Sequence, residues 1–166
     1  MNKLVILSLF FLTSIVNALV GDLEQPLEIE ASTVKLDENT GFHQFFGNFY
    51  NVSAEVRQGS LLLLADIIQV QTNDDGVDKV IATGSLDRPA KYTQSQENQD
   101  RLIEANATLI TYDTNTGIII LKGNANLTQG FESFSGDSLE YDTNNDKVIT
   151  KGSEDGTQRV KFKIEL

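Results

Sequence analysis

Few side chains in this sequence could do chemistry. His43 is the single histidine and there is no cysteine. A nucleophilic triad needs an imidazole beside an activated Ser or Cys, and no serine sits in a G-x-S-x-G elbow. His43 lies in the Phe-rich stretch "GFHQFF" at 41–46, and without partners it reads as a satisfied or exposed strand residue. The acidic triplets "NDD" at 73–75 and "NND" at 144–146 carry oxygens a hard cation would take. They lack the spaced ligand series and closing bidentate Glu of a calcium loop, so they read as hairpin turns. Paired carboxylates for glycoside hydrolysis would have to face one groove. Most Asp and Glu here fall in turns or opposite the apolar phase. No phosphate-binding G-x-x-x-x-G-K loop is present, so the chain supplies no nucleotide energy. "NVS" at 51–53, "NAT" at 106–108 and "NLT" at 126–128 match a short, common sequon and carry no inference. No catalytic residue, metal site or cofactor is expected, and divalent ions enter only as bridges to an anionic ligand.

The elements that hold these residues repeat. An apolar alternation ends in a small and a polar residue at "LEIEAS" 27–32, "LLLLAD" 61–66, "RLIEAN" 101–106 and "FESFSGD" 131–137. A second apolar stretch leads to a turn at "LDENTG" 36–41, "TNDDG" 72–76, "YDTNTG" 112–117 and "YDTNND" 141–146. A third ends at Gly in "FFGN" 45–48, "IATGS" 81–85, "LKGN" 121–124 and "ITKGS" 149–153. Period-2 patterning with turns of Asp, Asn, Thr and Gly predicts an all-β chain of short antiparallel strands stacked unit upon unit. The small residues Ala31, Ala65, Ala105 and Gly136 lie in phase with inward apolar neighbours. They predict a column of corners where two sheets meet along one side, with the other side free to stay open.

The first residues stand apart. Met1, Asn2 and Lys3, the apolar run Leu4 to Leu12, and "VNA" at 16–18 read as a secretory signal peptide cleaved after Ala18. No cysteine lies near that cut for a lipid anchor. The domain organisation is then residues 1–18 as leader and 19–166 as one domain, long enough for a real core. A formal net charge of −11 in 166 residues argues against nucleic acid and against anionic membrane surfaces. An exported chain without disulfides must rest on backbone pairing and apolar burial.

The segments "GDLEQPLEIEAS" 21–32, "QGSLLLLAD" 58–66, "RPAKYTQ" 88–94, "YDTNTGIIILKGNANLTQG" 112–130 and "FSGDSLEYD" 134–142 resemble, in order, the OstA-like family of periplasmic lipopolysaccharide transport proteins, the LptA type. The resemblance covers essentially the whole chain after the leader. It implies an elongated, V-shaped β-jellyroll whose apolar interior holds the acyl chains of lipid A while the sugars face out. It further implies stacking end to end into a bridge between the membranes. Its partners would be LptC of the inner-membrane transporter and the N-terminal domain of LptD at the outer membrane. The segment from Asp37 to Gly59 is longer than that pattern, which implies an enlarged hairpin near the N-terminal end. Two alternatives stay open: an LptC-like or LptD-N-terminal-like partner module, and a β-solenoid enzyme acting on polysaccharide.

Phase along the strands nominates an inward, lipid-binding set. From the first units these are Leu27, Ile29, Leu61, Leu63, Ile68 and Val70. From the middle they are Tyr92, Ile103, Ile110, Tyr112, Ile119 and Leu121, and from the last units Leu127, Phe134, Leu139 and Tyr141. Each buried methylene of an acyl chain in such a slot is worth about 0.8 kcal/mol. The final stretch "RVKFKIEL" 159–166 reads as an edge strand open to β-augmentation by the next protomer. Lys161 and Lys163 would guard it against indiscriminate pairing, and "QPLEIEAS" near the start would be the complementary edge.

Overall fold

Alternating apolar and polar residues become strands with one face turned inward. The structure, a computed structural model, describes residues 22–48, 52–96 and 101–165. The expected leader and its cut at Ala18 lie outside these. A single turn of 3-10 helix, Asp22–Glu24, precedes the strands. They are β1 (Leu27–Glu30), β2 (Thr33–Lys35), β3 (Phe42–Phe46), β4 (Ala54–Gln58), β5 (Leu61–Ala65), β6 (Ile67–Asn73) and β7 (Gly76–Thr83). There follow β8 (Ala90–Gln96), β9 (Arg101–Ala107), β10 (Leu109–Asp113), β11 (Ile118–Gln129), β12 (Glu132–Asp142), β13 (Lys147–Lys151) and β14 (Lys161–Ile164).

All pairings are antiparallel, and together they make one continuous sheet folded into two walls. The first wall runs β1, β4, β5, β8, β9, then the second half of β11, the first half of β12, and β14. The second runs β2, β3, β6, β7, β10, the first half of β11, the second half of β12, and β13. Two long strands pass through both walls: β11 shifts register between Lys122 and Ala125, and this bend lets it serve each in turn.

The chain crosses from wall to wall at one crease, and main-chain bonds zip that crease. Ser32 N–H donates to Phe46 C=O at 2.9 Å, Gly47 N–H to Asp66 C=O at 2.9 Å, Gly84 N–H to Thr108 C=O at 2.9 Å, and Thr108 N–H to Gly123 C=O at 3.0 Å. The glycine that closes the third stretch of each repeat is what these crossings need: a Cβ on Gly84 would lie 2.4 Å from Arg88 O and Ala90 N.

Small side chains line the inside of the crease, as the repeat predicts. Ala54 faces Ala65, Ala90 faces Ala107 and Ala125 faces Gly136. The neighbouring registers set Ala31 beside Ala54, Ala65 beside Ala90 and Ala107 beside Ala125. The third corner residue is therefore Ala107, which corrects the expectation of Ala105. Ala105 sits one step further from the crease, opposite Tyr92 and Leu127. The stretch "ANA" places two alanines in the same phase, and only the bend at Thr108 decides between them.

The enlarged hairpin expected between Asp37 and Gly59 is also corrected. β2 and β3 close by an ordinary turn in which Asp37 Oδ1 accepts the amides of Asn39 and Thr40 at 3.0 and 3.2 Å. After Gly47 the chain leaves this wall, and Asn48 N–H donates to Val52 C=O at 2.8 Å. The other acidic turns have the same design. Asp113 and Asp142 each accept two following amides at 2.9–3.1 Å. The Asn145 amide first, then these N–H groups, hold the Asp142 carboxyl below its ordinary range.

Candidate functional site

Between the walls lies a wedge, and its inner surface is laid down in rows by the strand registers. Nearest the crease, the second wall contributes Ile68, Ala82, Ile110, Leu121 and Leu139, successive partners across β6, β7, β10, β11 and β12. They face the row of small residues. One step out, the first wall carries Ile29, Val56, Leu63, Tyr92, Ala105, Leu127 and Phe134. Opposite these the second wall carries His43, Val70, Val80, Tyr112, Ile119, Tyr141 and Val148. At the mouth of the first wall stand Leu27, Gln58, Leu61, Gln94, Ile103 and Gln129.

Every residue nominated from the sequence belongs to these rows. Leu61, Leu63, Ile68, Val70, Tyr92, Ile103, Ile110, Tyr112, Ile119, Leu121, Leu127, Leu139 and Tyr141 are buried in one cluster. Leu27, Ile29 and Phe134 pack against it and are half-buried, because they stand near the two ends of the stack. Sequence reasoning missed Val56 and Val80, which complete the rows. It also missed Gln58, Gln94 and Gln129, polar side chains in the inward phase. The recurring "RQG" and "TQG" hold the signal for two of them.

Apart from His43, the buried polar side chains among the described residues are Gln58 and Gln129. No carboxylate is in that buried set. His43 is satisfied structurally: Asp37 N–H donates to Nδ1 at 3.3 Å, and Thr72 Oγ1 lies 3.4 Å from Nε2.

The mouth is bridged by polar contacts between the walls. Tyr112 Oη donates to Gln58 Oε1 at 2.9 Å. Gln129 Nε2 donates to Asp146 Oδ1 at 2.5 Å, and Tyr141 Oη reaches the same oxygen at 3.2 Å. Tyr92 Oη donates to Gln94 Oε1 in its own wall. Three tyrosines thus bury their rings and turn their hydroxyls to the mouth. Burial, then Asp22 and Asp113, pushes the Tyr112 phenol up to about 12. Burial raises Tyr92 well above its ordinary value, with Tyr141, Tyr112 and Asp22 adding to it.

Among the described residues, both ends of the stack leave apolar side chains exposed. At the last edge Phe162 stacks on Phe134 with ring centroids 4.8 Å apart, yet is 54% exposed, and Phe131 is 76% exposed. At the first edge Val34 and Leu36 are exposed. A wedge with apolar walls and hydrogen-bonded lips can hold a long apolar chain.

The family described as LptA/(LptD N-terminal domain) LPS transport protein matches residues 28–147. The lipopolysaccharide export system protein LptA of Escherichia coli K12 is 30% identical over 122 residues, 74% of this chain and 62% of that protein. The chain's match thus spans less than two thirds of the LptA length. The export system protein LptH of Pseudomonas aeruginosa is 26% identical over 127 residues, 76% of this chain and 69% of that protein. In three dimensions, the crystal structure of LptH, described as the LptA homologous periplasmic component of a conserved lipopolysaccharide transport device, superposes with a TM-score of 0.77. That match has 23% identity and covers 87% of this chain and 99% of that one. The likeness bears out the all-β stack expected from the repeats and the β-jellyroll that the resemblance implied.

Proposed function

The chain belongs to the LptA/(LptD N-terminal domain) LPS transport protein family, and from that premise we propose that it is a periplasmic carrier of lipopolysaccharide with no catalytic activity. The acyl chains of lipid A lie between the walls against Leu61, Leu63, Ile103, Ile110 and Ile119, and the sugars face out through the mouth. The observation that carries this reading is the composition of the wedge: apart from His43 near the first end, its inner rows are apolar or aromatic, and the buried glutamines stand at the lips.

The central rows are shut in the structure described, with Leu63, Ile68, Ile103 and Ile119 all 0% exposed. A lipid must therefore part the walls and replace side-chain contacts with its own. A fourteen-carbon chain gains about 10 kcal/mol gross on burial, before ordering costs. That is enough to offset the loss of the few hydrogen bonds at the lips, each worth about 1 kcal/mol net. The wedge can open once these lip bonds give way, because main-chain links join its two walls along the crease.

The exposed apolar ends supply the second part of the proposal. Protomers stack head to tail, β14 of one meeting the β1–β2 edge of the next, so that the wedges align into a bridge. The terminal partners are LptC at the inner membrane and the LptD N-terminal domain at the outer membrane. An ATPase elsewhere drives movement along the bridge.

Photocrosslinking in cells tests the cargo. A probe at Ile29 or Phe134, inward and near the two ends, is expected to form adducts with lipopolysaccharide; a probe at Glu140, between inward Leu139 and Tyr141, is expected to form none. Capture of lipid from Glu140, or from no position in a folded and exported protein, would reject the groove as the binding site.

A further inference from the structure

One lip of the wedge is held by the residues before β1, and the contact is a carboxylate in a ring of neutral donors. Asp22 Oδ1 accepts the Ser60 N–H at 2.8 Å. Its Oδ2 accepts Ser60 Oγ–H at 2.6 Å and Gln94 Nε2–H at 2.7 Å. Ser60 lies in the β4–β5 turn, and Gln94 stands in the mouth row beside Ile103. The turn is shaped for this approach. Gly59 has φ +59°, and a Cβ there would lie 2.2 Å from Asp22 Oδ1. Among the described residues the ion pairs are Arg57–Glu55, Arg88–Asp66 and Lys163–Glu165, so no basic side chain pairs with Asp22. The segment has one further tie nearby, Gln58 Nε2 donating to Gln25 C=O at 3.1 Å.

Main-chain and hydroxyl donors converging on an anion at a tight turn are an anion site of general type. Here the chain fills it with its own carboxylate, carried on a single 3-10 turn. We propose that Ser60 and Gln94, with Gln58, bind an oxyanion on the headgroup of an acyl lipid, a phosphate or a carboxylate, and that Asp22 is the internal stand-in it displaces. This rests on the lipid-groove reading above. An acyl chain against Leu61, Leu63 and Ile103 leaves its headgroup at Ser60 and Gln94, the residues next along the mouth. On displacement the Ser60 N–H and Gln94 Nε2–H pass to the oxyanion, and Ser60 Oγ–H keeps Ser95 C=O at 3.0 Å as an alternative acceptor. Because the site is neutral without Asp22, it admits an anion into a chain of net charge −11 only when that carboxylate leaves.

The test compares wild type with Asp22→Ala and Asp22→Asn by titration calorimetry. The probes are tetradecyl phosphate, myristate and the neutral tetradecyl maltoside, each below its micelle concentration. Asp22→Ala is expected to bind one or both anionic probes about tenfold tighter than wild type, the ratio one charge-assisted hydrogen bond sets, with Asp22→Asn between. The maltoside should change by less than about twofold on the same scale. Adding Ser60→Ala and Gln94→Leu to Asp22→Ala should abolish the anionic gain, and the phosphate and myristate arms tell which oxyanion the site prefers. An equal gain for all three probes would make Asp22 a plain steric strap and overturn the proposal, as would no gain for any. If the maltoside binds but the anions show no preference, the groove stands and the headgroup site falls. If no probe binds any protein, both readings fall together.

Discussion

Tyr112 Oη and Gln58 Oε1 meet at 2.9 Å although 54 residues separate them in sequence, one on each wall. The bond closes the mouth over the middle of the wedge. Replacing Tyr112 by Phe keeps the ring in the core and removes this tie. The variant should lose about 1 kcal/mol of stability, read as a lower urea midpoint at unchanged slope. It should also take up an apolar dye faster than wild type. An unchanged midpoint and an unchanged uptake rate would mean that the bond does not hold the walls together.

Alkaline titration gives a second check. A phenol whose folded pKa is raised binds its proton more tightly in the folded state, so its contribution is complete below the unfolded value and lost as pH rises through the folded one. For Tyr112 that window runs from the ordinary value of 10.0 to about 12. Tyr92, raised well above 10.0, extends it upward. The ultraviolet absorbance of phenolate should show late-ionising tyrosines, and stability should fall above pH 10. Tyr112→Phe removes one of those late ionisations and should narrow the loss. On the acid side the sign reverses. The Ser153 hydroxyl first, then Thr157, holds Asp155 down to about 2, so what it adds is present above the ordinary 3.8 and fades as pH falls towards 2.

The strands and their inward faces were legible because the period-2 pattern survives in every repeat. Leu61 and Leu63, or Ile119 and Leu121, announce their side of the sheet without further help. What the pattern hid was the position of bends. Ala105 and Ala107 share a phase, and only Thr108, whose N–H bonds Gly123 C=O, selects the corner. The lips were hidden for a different reason. Gln58, Gln94 and Gln129 break the apolar phase, and their meaning lies in partners on other elements: Tyr112 on a strand, Asp22 in the 3-10 turn and Asp146 in the β12–β13 turn. No spacing rule joins residues 54 or 72 apart.

The crease makes a sharper demand on size than on polarity. Ala107 is 1% exposed and lies between Ala90 and Ala125 in a row that holds only Ala and Gly. Ala107→Leu adds three carbon atoms where the walls are closest. Overpacking of this kind costs about 1–3 kcal/mol. The same change at Ala31, which is not fully buried and stands at the end of the row, should cost less. Thermal melting of the two variants checks the order, and equal melting temperatures would contradict a crease set by small residues.

The last prediction concerns the edge. β14 pairs only with β12, and Val160, Phe162 and Ile164 are 47%, 54% and 52% exposed. An apolar edge strand left in water invites another strand. The lysines between these residues, Lys161 and Lys163, face the other side of the sheet and stay compatible with a partner of acidic character. β1, with Glu28 and Glu30 alternating against Leu27 and Ile29, has that character and is itself an edge. Phe162→Glu should therefore shift the protein towards monomer in sedimentation velocity while leaving its melting temperature nearly unchanged, since Phe162 is half exposed. Lys161→Glu with Lys163→Glu should weaken association in a salt-dependent way, because it sets like charges against Glu28 and Glu30. If the wild-type protein sediments as a monomer at every concentration, or if Phe162→Glu leaves its assembly intact, β14 is not the surface through which copies of this chain meet.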